Sequence, residues 1–598
     1  MCRIAGIVDQ SCSVEKLQEL VKGMCHILKH GGPDDEGIYT SPENNLVLGN
    51  RRLALLDLSS AGHQPMSYAN GRYHITYNGE LYNFPELKAQ LVQKGFKFNS
   101  NSDTEVILAS FAAWGPDAFE KFNGMFAFAL WDNTQSTLYL VRDSAGIKPL
   151  YYSVNGKQLV FGSEIKAFKN IPHLQEEHPY WPVYMMAYGH LPEPITTLYH
   201  VKPLSKGTFL KYHIPDGSWS ISTYSHYNYG ETISNRSEAI SSIKDCLSTA
   251  VNRHLLSDAP IGVFLSGGLD SSIAALLANK ESKGHLNTLS LYFAENQYSE
   301  KKYQDMVLDR LACNHHQHLL SEQEFHQHLP GLLGEMDLPS TDGINTWFIS
   351  KYAKEIGLKA VLSGVGGDEL YGGYPSFGRM NKVNMLEKLP DLVLKNSAIS
   401  KSKKLRRLSY LSLGGAKGKY LFLRGHFIPI EIAQQLNMKE SQVWEILNEQ
   451  PVLDKISHLA PGNQASWIEM NLYMQNQLLR DSDVMSMAHG IEIRVPFLDK
   501  EFIKLSLQIQ SSIKYAGKFK KQLLIDTFKD VLPEPIWNRP KMGFTFPFNE
   551  WLAKDELVKE SIYAAGNSSQ LYYKKFIDGD LHWSQLMTLV LLQNNVHA

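Results

Sequence analysis

The hydrophobic pattern of the chain changes near Ser237, and that change limits what the chain can fold into. Upstream, LVLGNRRLALLDL, YHITYNGELYN, MFAFALWD, STLYLVRD and GTFLKYHI mix alternation with short apolar runs, the signature of strands and turns. DTEVILASFAAWG carries apolar residues at helical spacing behind Asp103, a candidate N-cap. Sheets faced by helices, an α+β layering, follow. Downstream, IGVFLS, NTLSLYF and KAVLSGV read as buried strands between helices such as SEAISSIKDCLSTAVNRHLL and SSIAALLANK. That alternation predicts a parallel sheet covered on both faces, with a mostly helical part beyond Asn381. The polar stretch 213–231 reads as a connector. A length of 598 residues fits two to four domains.

Two Gly/Ser loops follow buried strands. In Leu265-Ser266-Gly267-Gly268-Leu269-Asp270-Ser271-Ser272, glycines let the backbone approach a phosphate, and serines and a helix N-terminus offer donors. Asp270 can hold Mg²⁺, which binds carboxylate and phosphate oxygens together. The second loop is Ser363-Gly364-Val365-Gly366-Gly367-Asp368-Glu369. Loops at the carboxyl ends of parallel strands converge on one crevice, so Asp270 and Asp368 are expected around one Mg²⁺–pyrophosphate. A plain turn is the alternative for either loop taken singly. This is not the GxxxxGK[ST] P-loop.

At the other end, removal of Met1 would give Cys2 a free α-amino group, a built-in general base for its thiol. The five cysteines form no CxxC pair or metal spacing, and a reducing cytoplasm is expected. The start MCRIAGIVDQ lacks secretory-signal features, and no apolar run approaches the ~18 residues of a membrane span. Lys+Arg 59 against Asp+Glu 61 argues against a nucleic-acid or membrane partner. The basic cluster KSKKLRR, residues 401–407, reads as a solvated face, with a binding patch as the alternative. Adjacent His315 and His316 diverge and do not suggest a metal site.

In order along the chain, MCRIAGI, HGGPDDEG, RRLALLDLSSAGHQPM, YNGELYN, SDTEVIL, NGMFAFALWD, GIKPLYY, LSGGLDSS, LSGVGGDELYGGY, MSMAHGIEIRVPFLD and NRPKMGF resemble the glutamine-hydrolysing asparagine synthetases of bacterial type. The resemblance implies an N-terminal-nucleophile glutaminase domain of α/β/β/α layering over 1–211 and a connector over 212–236. It implies an ATP-pyrophosphatase synthetase domain, α/β with a parallel sheet, over 237–598. It also implies glutamine, ATP and a small carboxylate, aspartate first, as substrates, and it leaves room for a homodimer. It gives glutamine binding to Arg52, Asn78, Gly79, Glu80 and Asp103. Arg52 suits the substrate carboxylate and Asp103 its ammonium. Asn78 and Gly79 suit the oxyanion, although Asn-Gly is also a hairpin turn. It places Leu265, Leu291, Ser363 and Gly364 around the nucleotide and gives Lys521 a role at the acyl-adenylate step. Without it, Lys521 would be an ordinary exposed helix lysine, and Lys520 beside it competes for the alignment.

Five features depart from the family pattern. Arg3 stands for a glycine, Gly31 for an arginine and Ser144 for an arginine. Val365 stands for a glutamate implicated in intermediate formation or ammonia handling, and Asp342-Gly343-Ile344-Asn345-Thr346 differs near the acceptor pocket. Such variants resemble a branch associated with surface-polysaccharide synthesis, where a sugar carboxylate is the acceptor. An RNA-thiolating enzyme would want catalytic cysteines and a basic surface. A glutaminase-only or scaffold protein would not need Asp270, Asp368 and Lys521 together.

Overall fold

The computed structural model describes residues 2–282, 285–400, 402–449, 456–540, 542–543 and 545–596. Two antiparallel six-stranded sheets build the N-terminal part. In one, the strand Cys2–Asp9 lies between Leu46–Arg52 and Gln158–Gly162, and its register sets Cys2 opposite Arg52. In the other, Tyr73–Leu81 pairs with Gly124–Asp132. The facing sides interdigitate Ile4, Val8, Leu48, Ala129, Trp131 and Leu140, all fully buried. Alternation along each strand supplies this inner layer. Val14–Ile27 covers the first sheet with Leu17, Val21 and Met24, and Asp103–Trp114 covers the second. The layering is α/β/β/α, as expected.

Two local expectations need adjusting. The N-cap of Asp103–Trp114 is Ser102, whose side chain accepts from Thr104 N–H, and Asp103 is the first helical residue. Within the stretch read as a connector, Ser218–Thr223 forms the edge strand beside Thr208–His213. All six of its side chains are exposed, Trp219 and Ile221 included, so the strand has no core face to advertise.

The second half is a five-stranded parallel sheet in the order Cys313–Leu319, Leu286–Tyr292, Ile261–Phe264, Ala360–Leu362, Glu492–Arg494. Chain order reverses direction between Ile261–Phe264 and Ala360–Leu362, the switch point at which α/β sheets open a crevice. Helices Arg236–His254 and Leu269–Ser282 pack on the sheet, and the remainder is helical. His315 and His316 lie on the edge strand, where His315 Nδ1 meets Thr288 Oγ1 at 2.7 Å. A π-helical stretch, Glu469–Leu479, runs into the helix Arg480–Met487. Among the described residues, no helix is long and apolar enough to cross a membrane.

Candidate active site

Two centres emerge. At the first, Cys2 is buried, and its backbone N–H donates to Asn78 Oδ1 at 3.2 Å. The other end of that amide, Nδ2, is buried with no partner among the described residues. A buried donor without an acceptor costs stability, so Nδ2 is a donor able to serve an anion. Gly79, at φ +155°, follows in the same strand, and a Cβ there would sit 2.1 Å from the Met125 carbonyl oxygen. Only glycine fits. Asn78 and Gly79 therefore lie within a strand, not in a two-residue hairpin turn.

Arg52 is held by carbonyls. Its guanidinium donates to Leu56, Asp57 and Ser59 at 3.3, 2.5 and 3.3 Å, which fixes the fork without neutralising it. Asp103 accepts from Tyr77 O–H at 2.9 Å and Leu81 N–H at 2.8 Å. Burial raises the Asp103 pKa, and these hydrogen bonds oppose the shift. Burial also pushes the Cys2 thiol up, with the Leu53 backbone and Arg52 pulling the other way. Burial lifts Glu80 well above the usual carboxylate range despite Arg494, whose Nη2 lies 3.4 Å from Glu80 Oε1. Met1 lies outside the described residues.

The second centre stands at the switch point. Ser266 Oγ meets Ser271 Oγ at 2.9 Å, and Gly268 N–H donates to Ser266 Oγ at 3.3 Å. Ser271 and Ser272 hydroxyls donate back to the Gly268 carbonyl, closing the first turn of Leu269–Ser282. Gly267, at φ +83°, makes the bend before it. Leu265 and Leu291 are buried at the carboxyl ends of neighbouring strands and line the same cavity. Ser363 N–H is tied to the Arg494 carbonyl at 2.8 Å, and Gly364 lies against Asp270. The cavity, about 560 Å³, is lined by both loops, Lys521, Val365, Asp342 and Asp481, among others.

Asp270 and Asp368 do meet, and the cation between them is Lys521. Its Nζ lies 2.7 Å from Asp270 Oδ2 and 2.6 Å from Asp368 Oδ1. Lys521 is not an exposed helix residue. It is 8% exposed, caps the helix Gln522–Phe528 and sits in left-handed backbone at φ 57°. A non-glycine residue held there is a strained element that the surroundings must enforce. Lys520 is exposed.

Sequence alone does not single out Arg539, Arg494 or Asp481, and it shows Glu369 only as part of the second loop, with no distinct role. Arg539, within NRPKMGF, donates to the Gly267 carbonyl at 2.9 Å and to Glu300 at 2.7 Å, bracing the 266–272 loop. Lys541 and Phe544 of that motif lie outside the described residues. Arg494, within MSMAHGIEIRVPFLD, joins Glu80 of one half to Glu492 of the other. Glu369 accepts from Gly366 N–H and Tyr374 O–H, and burial with Asp368 alongside lifts its pKa to about 7. Asp481, on the same cavity, is likewise raised to about 7 by burial against the pull of Arg480. The motif strings contained Arg539 and Arg494, but only the fold reveals their partners.

The family model described as asparagine synthase matches residues 242–587, and that of the glutamine amidotransferase domain matches residues 1–225. Asparagine synthetase (glutamine-hydrolyzing) 1 of Bacillus subtilis (strain 168) is 31% identical, covering 93% of this chain and 88% of its own. Asparagine synthetase (glutamine-hydrolyzing) 3 of the same organism is 29% identical over 94% of this chain and 91% of its own. Amidase chry2 of Gibberella zeae is 26% identical over 88% of this chain and 84% of its own. The chain belongs to the asparagine synthase family, as an ATP-dependent carbon–nitrogen ligase carrying a glutamine amidotransferase domain in its N-terminal part.

Proposed function

We propose that the chain hydrolyses glutamine at Cys2 and passes the ammonia to an acyl-adenylate made from ATP and a carboxylic acid, releasing AMP and pyrophosphate. Aspartate is the first acceptor to consider and a uronic acid the second. The domain division at 1–211, 212–236 and 237–598 belongs to this reading, with Ser218–Thr223 as an appendage of the first sheet pair. The observation that carries the reading is Lys521 set between Asp270 and Asp368 in a cavity lined by both Gly/Ser loops, with Cys2 on a strand of the other half. Leu53 and Leu55, directly after Arg52, pack with Ala259, Ala360 and Met487 from the parallel-sheet half. Ammonia released to neutral water would be protonated and lost as a nucleophile, and an apolar contact between the halves suits its passage in neutral form.

The chemistry of each residue supports the scheme. The Cys2 sulfur attacks the glutamine amide carbon, with the α-amine exposed after Met1 removal as base. Asn78 Nδ2 and Gly79 N–H suit the oxyanion. Arg52 and Asp103 suit the substrate carboxylate and ammonium, with Glu80 completing the pocket. In the synthetase half, the Ser266, Ser271 and Ser272 hydroxyls, Gly267 and Gly268 cradle phosphate, and Lys521 offsets the charge that grows on the α-phosphate as the carboxylate attacks. Asp270 and Asp368 fit Mg²⁺, which takes one or two carboxylates together with substrate phosphates. Bound there, the ion would neutralise pyrophosphate. A homodimer remains part of the proposal only through the family resemblance.

The test is product analysis. Wild type is expected to form AMP and pyrophosphate only with an acceptor acid present. Cys2→Ala should lose glutamine use and keep ammonia-dependent synthesis. ADP and phosphate as products would overturn the adenylate.

A further inference from the structure

A second cavity, of about 940 Å³, adjoins the first, and Asp342, Asn345, Asp368 and Tyr374 line both. Its size lies near the top of the roughly 300–1,000 Å³ range for drug-sized ligands, and aspartate would leave most of it to water. Its far side carries Arg406, Arg407 and Lys575 together with Glu431 and Asp580. Residues 401–407 are not simply a solvated face, because Arg406 and Arg407 line this cavity, while Lys401 lies outside the described residues.

The cations there are not equivalent. Arg406 is paired with Glu431 at 2.6 Å, and Arg424 with Glu469 at 2.8 Å. Arg407 has no carboxylate partner among the described residues. It donates to the Leu421 carbonyl at 3.3 Å, and its Nε is buried without an acceptor. Burial and the neighbouring Arg379 depress its pKa, yet a guanidinium stays charged. Lys575, also on this wall, lies over the Tyr572 ring at 4.8 Å. A partly buried guanidinium with no carboxylate in contact among the described residues, facing a roomy cavity, favours an anion there. Tyr473, with Arg424 over its ring at 3.6 Å, and Trp583 also line this cavity.

We propose that the acceptor is a carboxylic acid larger than aspartate that carries a second, distal anion, its reacting carboxylate at the Lys521 end and its distal anion on Arg407 and Lys575. This rests on the adenylation reading above and specifies its substrate class. His426 and His582 also line the cavity, and both are held neutral, mainly by burial. Discrimination therefore rests on the arginine and lysine, and it persists from about pH 6 to 8.

The test uses probes and full-length enzyme, with the nucleotide site filled by a non-hydrolysable ATP analogue and Mg²⁺. Inorganic phosphate and acetate are titrated calorimetrically; phosphate tighter than acetate identifies a phosphoryl anion, the reverse a carboxylate. Arg407→Ala should weaken the preferred anion about tenfold or more, Arg407→Lys should restore part of it, and Lys575→Ala, at a half-exposed site, should weaken it without threatening the fold. In parallel, pyrophosphate release is measured with aspartate, glucuronate and glucuronate 1-phosphate. The expected order favours the phosphorylated acid, with the preference lost in Arg407→Ala. Anion affinity unchanged in both Arg407→Ala and Lys575→Ala, or aspartate preferred in wild type and variants alike, would overturn the inference. Failure of every carboxylate to release pyrophosphate, with Arg407-dependent anion binding intact, would instead overturn the adenylation reading.

Discussion

Valine at 365 lines the nucleotide cavity with a side chain that can neither take a proton nor pair with a cation. Four residues on, Glu369 is buried, held by Gly366 N–H and Tyr374 O–H, and lifted to about 7. A carboxylate poised near neutrality suits proton transfer to or from incoming ammonia. The sign is fixed by burial. The folded state keeps the Glu369 proton where an unfolded glutamate, ordinary value 4.5, has lost it. Its stabilising contribution is complete below that value and is lost as pH rises through about 7. Ammonia-dependent synthesis should climb over the same interval as the base ionises. Glu369→Gln should flatten that climb and cost roughly 10²–10⁴-fold in synthesis while glutamine hydrolysis is unchanged. Val365→Glu should raise aspartate turnover or leave it nearly unchanged. Aspartate amidation that is efficient in wild type and lost in Val365→Glu would show a pocket built around valine.

Among the elements, the two loops at the switch point depend on close approach. A Cβ at Gly367 would lie 2.5 Å from Asp270 Cγ, and one at Gly364 would lie 2.8 Å from Ser271 N. The loops touch because neither position carries a side chain. Gly367→Ala must push Asp270 away from Lys521, loosening a buried arrangement of two carboxylates and one ammonium. Acceptor-dependent pyrophosphate release should fall by about 10²-fold or more, since displacements near 1 Å at reacting groups have that effect. Glutamine hydrolysis should be retained, because Cys2 and Asn78 belong to other sheets. A parallel fall of both activities would mean that the loop serves folding first. The π-helical Glu469–Leu479 contributes Tyr473, Gln477 and Leu478 to the larger cavity, in keeping with the frequent placement of such segments at sites.

Across the whole molecule, the nucleophile strand is tied to the synthetase half by buried charge. Arg3, next to Cys2, reaches Glu164 at 2.5 Å and Asp483 at 2.8 Å, and Lys148 takes the other Asp483 oxygen at 2.9 Å. Asp483 sits on Arg480–Met487, the helix that presents Asp481 to the nucleotide cavity. Two departures from the family pattern compensate each other here. A Cβ at Gly31 would lie 2.7 Å from Arg3 Cγ, so the arginine at 3 occupies the space that a side chain at 31 would need. Ser144 instead bonds the Tyr227 hydroxyl at 2.8 Å, and nothing in the structure explains its replacement of arginine. Arg3→Gly removes one cation from a buried cluster in which Glu164 keeps His30 and Lys166 and Asp483 keeps Lys148, and should destabilise by about 1–3 kcal/mol, read by denaturant unfolding. It should also raise glutamine consumed per amide formed. Arg3→Gly with Gly31→Arg should recover much of both; a double variant worse than the single would refute the exchange.

The sequence by itself determined the two halves, the layering of the first and the parallel sheet of the second, because alternation and buried runs report one-dimensional burial directly. It also pointed to Cys2, Asp270 and Asp368, since the chemistry of those side chains sits inside contiguous motifs, whereas only the family resemblance singles out Asn78 and Lys521. Tertiary structure alone decided that Lys521 lies between Asp270 and Asp368, that Arg539 braces the 266–272 loop, and that Arg494 spans the halves. It alone turned Arg406 and Arg407 from a charged surface run into a cavity wall. The physical reason is shared. Local pattern encodes which face of an element is buried, whereas charge pairing and desolvation depend on which distant segments the packed sheets and helices bring within a few ångströms.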